Sequence, residues 1–106
     1  MSEKKTLKDY QVEIDQWIHM HGGYWPPLSM LSAIMEEVGE LVREINFLEG
    51  HKPKKSTEKK ESNLGEEIAD LIFSVICLAN YYKIDLTDKL KNVLNKYSKR
   101  DALRFK

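Results

Sequence analysis

An all-α fold, an antiparallel bundle of four helices in a single domain, is what this sequence predicts. Apolar residues recur at three- and four-residue spacing through four separate stretches, no stretch alternates with the period of two that a half-buried strand requires, and all three prolines fall between the periodic stretches. At 106 residues, of which 42% are apolar and 32% charged, the composition is globular. A second independent core would leave each half too small to bury enough apolar surface, so residues 1–106 are read as one domain.

The first helix is expected from about Thr6, a possible N-cap, to Met20, with Leu7, Tyr10, Val12, Ile14, Trp17 and Ile18 at helical spacing. Gly22, Gly23, Pro26 and Pro27 interrupt the pattern and put Tyr24 and Trp25 on a connecting loop, a candidate ligand wall. The second helix should begin near Leu28 or Ser29 and end near Leu48, before Gly50 and Pro53. Its apolar stripe is Leu31, Ile34, Met35, Val38, Leu41, Val42, Ile45 and Leu48. Glu49 to Ser62 is polar and lysine-rich, a solvated connection. The third helix, from about Asn63 to Tyr82, is apolar on nearly every side between Ile68 and Ala79, as expected of a central element. Asp85 or Thr87 can cap a fourth helix, in which Leu86, Leu90, Val93, Leu94 and Tyr97 form a narrower stripe.

Charge and cysteine content exclude several classes of function. Lys plus Arg equals Asp plus Glu, so no net basic field collects nucleic acid or an anionic membrane. Cys77 is the single cysteine, which excludes an internal disulfide and a thiolate zinc cluster and favours the cytoplasm. Met1 to Lys8 carries no apolar signal region, and the longest apolar run, Leu71 to Ala79 around Ser74, is far shorter than a membrane span.

The acidic residues carry the chemistry. On the second helix Glu37, Glu40 and Glu44 project together beside Ala33 at the margin of the apolar stripe, and on the third Glu67 and Asp70 share a face. Glu36 and Glu66 lie further round their helices, and are read with Glu44 as supporting or surface residues. Ordinary surface acids are paired with basic neighbours along the helix. Here Glu67 and Asp70 have no Lys or Arg three or four residues away, and only Arg43 is placed to help the second-helix pair. A bound cation would remove the repulsion. Four carboxylates, Glu37, Glu40, Glu67 and Asp70, without His or Cys, form a hard oxygen site suited to Mg²⁺, with Mn²⁺ as a substitute. No His follows a Glu by three residues, as a di-iron bundle would require. Because Mg²⁺ prefers phosphate oxygens and water as its remaining ligands, such a site points to phosphoryl chemistry.

The stretches EEVGEL (Glu36 to Leu41), EEIADLIF (Glu66 to Phe73) and KYSKR (Lys96 to Arg100) resemble the MazG-like nucleoside triphosphate pyrophosphohydrolases of the all-α type. GYWPPLSM looks like the small single-domain bacterial members of the YpjD kind. The resemblance implies hydrolysis of a (deoxy)nucleoside triphosphate to the monophosphate and pyrophosphate, in a dimer or dimer of dimers. It implies that Glu37 and Glu40 match the ExxE ligands, that Glu67 and Asp70 match ExxD, and that Lys96 and Arg100 match a phosphate-facing basic pair. Trp25 is a candidate base contact, and Tyr81 and Asn80 are candidate pocket residues. Two rival functions remain: phosphoribosyl-ATP pyrophosphohydrolase, and a helical adaptor that catalyses nothing.

Overall fold

A computed structural model describes residues 4–50 and 63–104, and the side chains among them up to Asp101. Four helices follow in chain order: α1 (Leu7–Met20), α2 (Pro27–Leu48), α3 (Leu64–Tyr81) and α4 (Leu86–Arg104), with no strand among the described residues. The expected all-α architecture is thus present. Most of the lysine-rich connection after α2 lies outside the described residues.

Local chemistry sets each boundary. Thr6 caps α1 through a reciprocal pair: its hydroxyl accepts the Asp9 N–H at 3.1 Å, and its own N–H donates to the Asp9 carboxylate at 2.9 Å. That backbone N–H holds the Asp9 carboxyl below its ordinary range. α1 ends where Gly22 and Gly23 take φ of 105° and 91°, conformations that a Cβ would strain. α2 begins one residue before the expected start, at Pro27, because a proline at the first helical position lacks only an N–H that would have been unpaired. At the start of α4 the Asp85 carboxylate accepts the N–H groups of Thr87 at 3.0 Å and Asp88 at 3.4 Å.

α3 is packed between α1 and α2, most extensively along α2, whereas α4 leans on α1. The joint between α1, α3 and the start of α4 is polar. Gln11, buried on α1, donates from Nε2 to the Asn80 side-chain oxygen and the Ile84 carbonyl, both at 2.9 Å, and accepts the Leu86 N–H at 3.0 Å. Asn80 donates back to the Gln11 carbonyl at 2.9 Å. Gln11→Leu would fill the volume but orphan two part-buried backbone groups, the Ile84 carbonyl and the Leu86 N–H. We expect it to cost about 2–3 kcal/mol, measured by urea unfolding, and a cost near zero would show that water replaces these bonds.

The apolar core within one chain is thin. Among the described residues, Met30, Ile76, Cys77 and Ala79 are its buried apolar members. Of the stripes read from sequence, Tyr10 and Val12 on α1, Leu31, Met35, Val42 and Ile45 on α2, and Leu90, Val93, Leu94 and Tyr97 on α4 are all exposed. The radius of gyration is 17.3 Å, against about 13 Å for a compact chain of this length. Residues Thr87 to Arg100 of α4 are exposed without exception.

Candidate active site: a carboxylate centre beside an aromatic cavity

α2 and α3 run antiparallel, so successive turns of one meet successive turns of the other in reverse order. The result is a convergence of Glu37, Glu67 and Asp70, each offering a carboxylate oxygen within 4.8 Å of the others. Glu37 and Glu67 are half-buried and Asp70 is exposed. Partial burial raises the Glu37 carboxyl above its ordinary range, and the charges of Asp70, Glu40 and Glu36 push it the same way. Glu67 is raised for the same first reason, then by Glu37, Glu40, Asp70 and Glu44. No described Lys or Arg is ion-paired to these three. Such a group of like charges is what a bound cation relieves.

Glu40 lies one turn along from Glu37, and its carboxylate is turned to Arg43 at 2.7 Å. Both members of that pair are exposed, and it contributes little to stability. Glu36 and Glu66 are exposed on the outer sides of their helices. Glu44 is buried and accepts the Asn63 N–H rather than joining the three converging oxygens.

A cavity of about 400 Å³ opens beside the centre, lined by Trp17, His21, Trp25, Phe73 and Cys77 among others, with Glu37 on its wall. Trp17 and His21 are stacked, ring centroids 4.1 Å apart, and Phe73 meets Trp17 edge-on at 5.8 Å. The His21 Nδ1 lies 2.7 Å from the Trp17 carbonyl, which can only accept, so that nitrogen carries the ring proton. Tyr24 pins the loop by donating its hydroxyl to Asp15 at 2.6 Å; burial, then this bond, raises its pKa. Trp25 projects from the pinned loop and is 64% exposed. Burial also pushes the Cys77 thiol up, so it remains protonated and serves as a wall.

The other candidates from sequence lie elsewhere. Asn80 is engaged by Gln11 and lies beside the Tyr24 hydroxyl, off the cavity wall. Tyr81 sits edge-on to Tyr24 at 6.4 Å, off the cavity wall. Lys96 and Arg100 flank the Tyr97 ring at 5.7 and 4.7 Å on the exposed helix α4. Three lining residues, Trp17, His21 and Phe73, were not picked out by sequence reasoning as ligand contacts. The available signal was spacing: Phe73 and Cys77 continue the α3 face that begins at Asp70, and His21 lies one turn beyond Trp17.

Acidic groups converge here beside an aromatic cavity on an all-helical scaffold, and comparison with known proteins gives the class, a nucleotide pyrophosphohydrolase. The chain belongs to the MazG nucleotide pyrophosphohydrolase family, whose domain it matches over residues 26–105, a span that holds the carboxylate centre and α4. It is 44% identical over 102 residues to the uncharacterized protein YpjD of Bacillus subtilis (strain 168), covering 95% of this chain and 91% of that protein. The crystal structure of B. subtilis YpjD, named there as a candidate pyrophosphatase, superposes with a TM-score of 0.79 at 42% identity, over 91% of this chain and 98% of that one. A Bacillus-conserved MazG protein, a nucleotide pyrophosphohydrolase, gives a TM-score of 0.75 at 38% identity, over 91% of this chain and 92% of that one.

Proposed function

We propose that this enzyme hydrolyses a (deoxy)nucleoside triphosphate to the monophosphate and pyrophosphate with Mg²⁺ held by Glu37, Glu67 and Asp70, and with Glu40 as a fourth carboxylate. One observation carries the reading: Glu37 belongs at once to the converging carboxylates and to the wall of the aromatic cavity. A nucleotide whose base enters the cavity therefore has its phosphates at the acidic centre. The donor set is oxygen only, which suits Mg²⁺ and its Mn²⁺ substitute. Held by these carboxylates, a divalent cation would neutralise phosphate oxygens and would make water acidic enough to supply a nucleophile near neutral pH. The bond that forms joins water oxygen to the α-phosphorus, the bond that breaks is the α–β anhydride, and pyrophosphate leaves. Glu40 is available at small cost, since its present partner is an exposed arginine.

The aromatic walls select for a flat ring. Trp25→Ala is expected to raise KM for a nucleoside triphosphate about tenfold, with kcat changed far less, because a stacked base is worth roughly 1–3 kcal/mol. Steady-state pyrophosphate release measures this, and an unchanged KM would remove Trp25 from the base contact. Assay of Mg²⁺-dependent pyrophosphate release across canonical and modified nucleotides and phosphoribosyl-ATP tests the substrate class, house-cleaning of the nucleotide pool included. Absence of release with every nucleotide would leave only the adaptor reading.

The enzyme is read as a homodimer or a dimer of dimers in the cytoplasm. All four helices carry uncovered apolar residues, and α4 presents Leu90, Val93, Leu94 and Tyr97 to solvent. A second copy is the economical cover for such surface. α4 leans on α1, while the acids stand on α2 and α3. We place Lys96 and Arg100 as the phosphate-gripping pair of the second copy's centre, where cations and acids are complementary. No described helix is long and apolar enough to cross a membrane.

A further inference from the structure

Glu44 is, with Ile76, the least exposed of the described residues, at 3%. A carboxylate is a costly group to bury unless hydrogen bonds hold it. Its Oε1 accepts the backbone N–H of Asn63 at 2.8 Å. Asn63 is the N-cap of α3, and its own side chain makes no capping bond there. The Asn63 carbonyl in turn accepts the N–H of Glu67 at 2.9 Å. Two bonds in series thus join α2 to the backbone of a member of the carboxylate centre.

The geometry of the centre depends on how α3 is set along α2, because Glu37 comes from one helix and Glu67 and Asp70 from the other. Apolar contact between helices is non-directional and tolerates sliding. A hydrogen bond of fixed length does not. The carboxylate also stands at the helix N-terminus, where the backbone dipole favours negative charge.

We infer that Glu44 is a positioning residue: its bond to the Asn63 amide sets the axial register of α3 against α2, and with it the spacing of Glu67 and Asp70 from Glu37. The inference rests on the reading of that centre as a metal site. It differs from a role for Glu44 as a ligand or as one more negative charge, and two conservative variants of the full chain separate these roles. Glu44→Gln keeps the reach and the acceptor oxygen but loses the charge. Glu44→Asp keeps the charge but withdraws the oxygens by about 1.5 Å, one carbon–carbon bond.

The readouts are amide hydrogen exchange at Asn63, Glu66 and Glu67 in metal-free protein, and calorimetric titration with Mn²⁺ alone. Glu44→Gln is expected to retain Asn63 protection and to bind Mn²⁺ within about twofold of the parent, whereas Glu44→Asp exposes the Asn63 amide and weakens binding about tenfold, the size of effect seen when a supporting contact of a metal ligand is lost. A wild-type-like Glu44→Asp, or a Glu44→Gln as weak as or weaker than Glu44→Asp, overturns the inference. If the parent itself binds no Mn²⁺, the metal reading fails separately. The exchange comparison then decides the positioning role: loss of Asn63 protection in Glu44→Asp alone sustains it, and any other pattern refutes it.

Discussion

Glu67→Gln is expected to lower pyrophosphate release by about 10³-fold or more, since losing a supporting contact already costs 10–100-fold in metal affinity. The same substitution is expected to stabilise the metal-free protein. It removes one of three converging carboxylates, of which Glu37 and Glu67 are raised above their ordinary range by partial burial first and by mutual repulsion second. Discounted for solvent screening, the relief is about 0.5 kcal/mol, or about 2–4 °C in melting temperature. The sign with pH follows. A carboxyl raised in the folded state is protonated there more readily than in the unfolded chain, so its contribution is complete below the unfolded value and is lost as pH rises through the folded one. Metal-free wild type should therefore lose stability, relative to Glu67→Gln, as pH rises from the ordinary glutamate range toward neutrality, and divalent metal should restore it. Scanning calorimetry of both proteins against pH, with and without Mg²⁺, checks this. A Glu67→Gln protein that is less stable than wild type at neutral pH without metal would mean that Glu67 has a favourable partner there, and that the repulsive centre is misread.

The other large effect concerns α4. Replacing Lys96 and Arg100 together by alanine is expected to lower activity about 10²-fold, as loss of a donor to developing phosphate charge does. Mixed and refolded with Glu67→Gln, also inactive, the double variant should recover about a quarter of wild-type activity. Half of randomly paired dimers are mixed, and one of the two centres in each has intact acids from one chain and intact cations from the other. No recovery, with mixed dimers shown to form by native mass spectrometry, would assign the basic pair to its own chain or remove it from the reaction. The motivation is geometric: α4 is exposed from Thr87 to Arg100 and leans on α1, away from the helices that carry the acids.

Much of the fold was legible in the residues. Helical periodicity located four elements, and Thr6 and the alternative Asp85 or Thr87 marked two of their starts, of which the structure uses Asp85, because capping needs an oxygen at one place and little else. Pro27 was taken for a breaker and is instead the first residue of α2, a distinction that depends on which N–H groups go unpaired. Among the acids, the i, i+3 spacing of Glu67 and Asp70 put both on one face, and the structure brings both to Glu37. Glu40 and Glu44 share the same sequence signal, yet one faces Arg43 and the other the Asn63 amide. Spacing along a helix does not resolve rotamers or partners on a neighbouring helix.

The order of residues along the chain was enough for the helices, their apolar faces and the concentration of acid on two of them, because each follows from interactions within a few residues and a fixed 3.6-residue period. Which three carboxylates converge, that Trp17, His21 and Phe73 enclose a cavity against Glu37, and that α4 stands away from the acids all depend on the register and direction of one helix against another. Those are set by contacts between residues distant in the chain, such as Gln11 with Asn80 and Glu44 with Asn63, for which local periodicity carries no record.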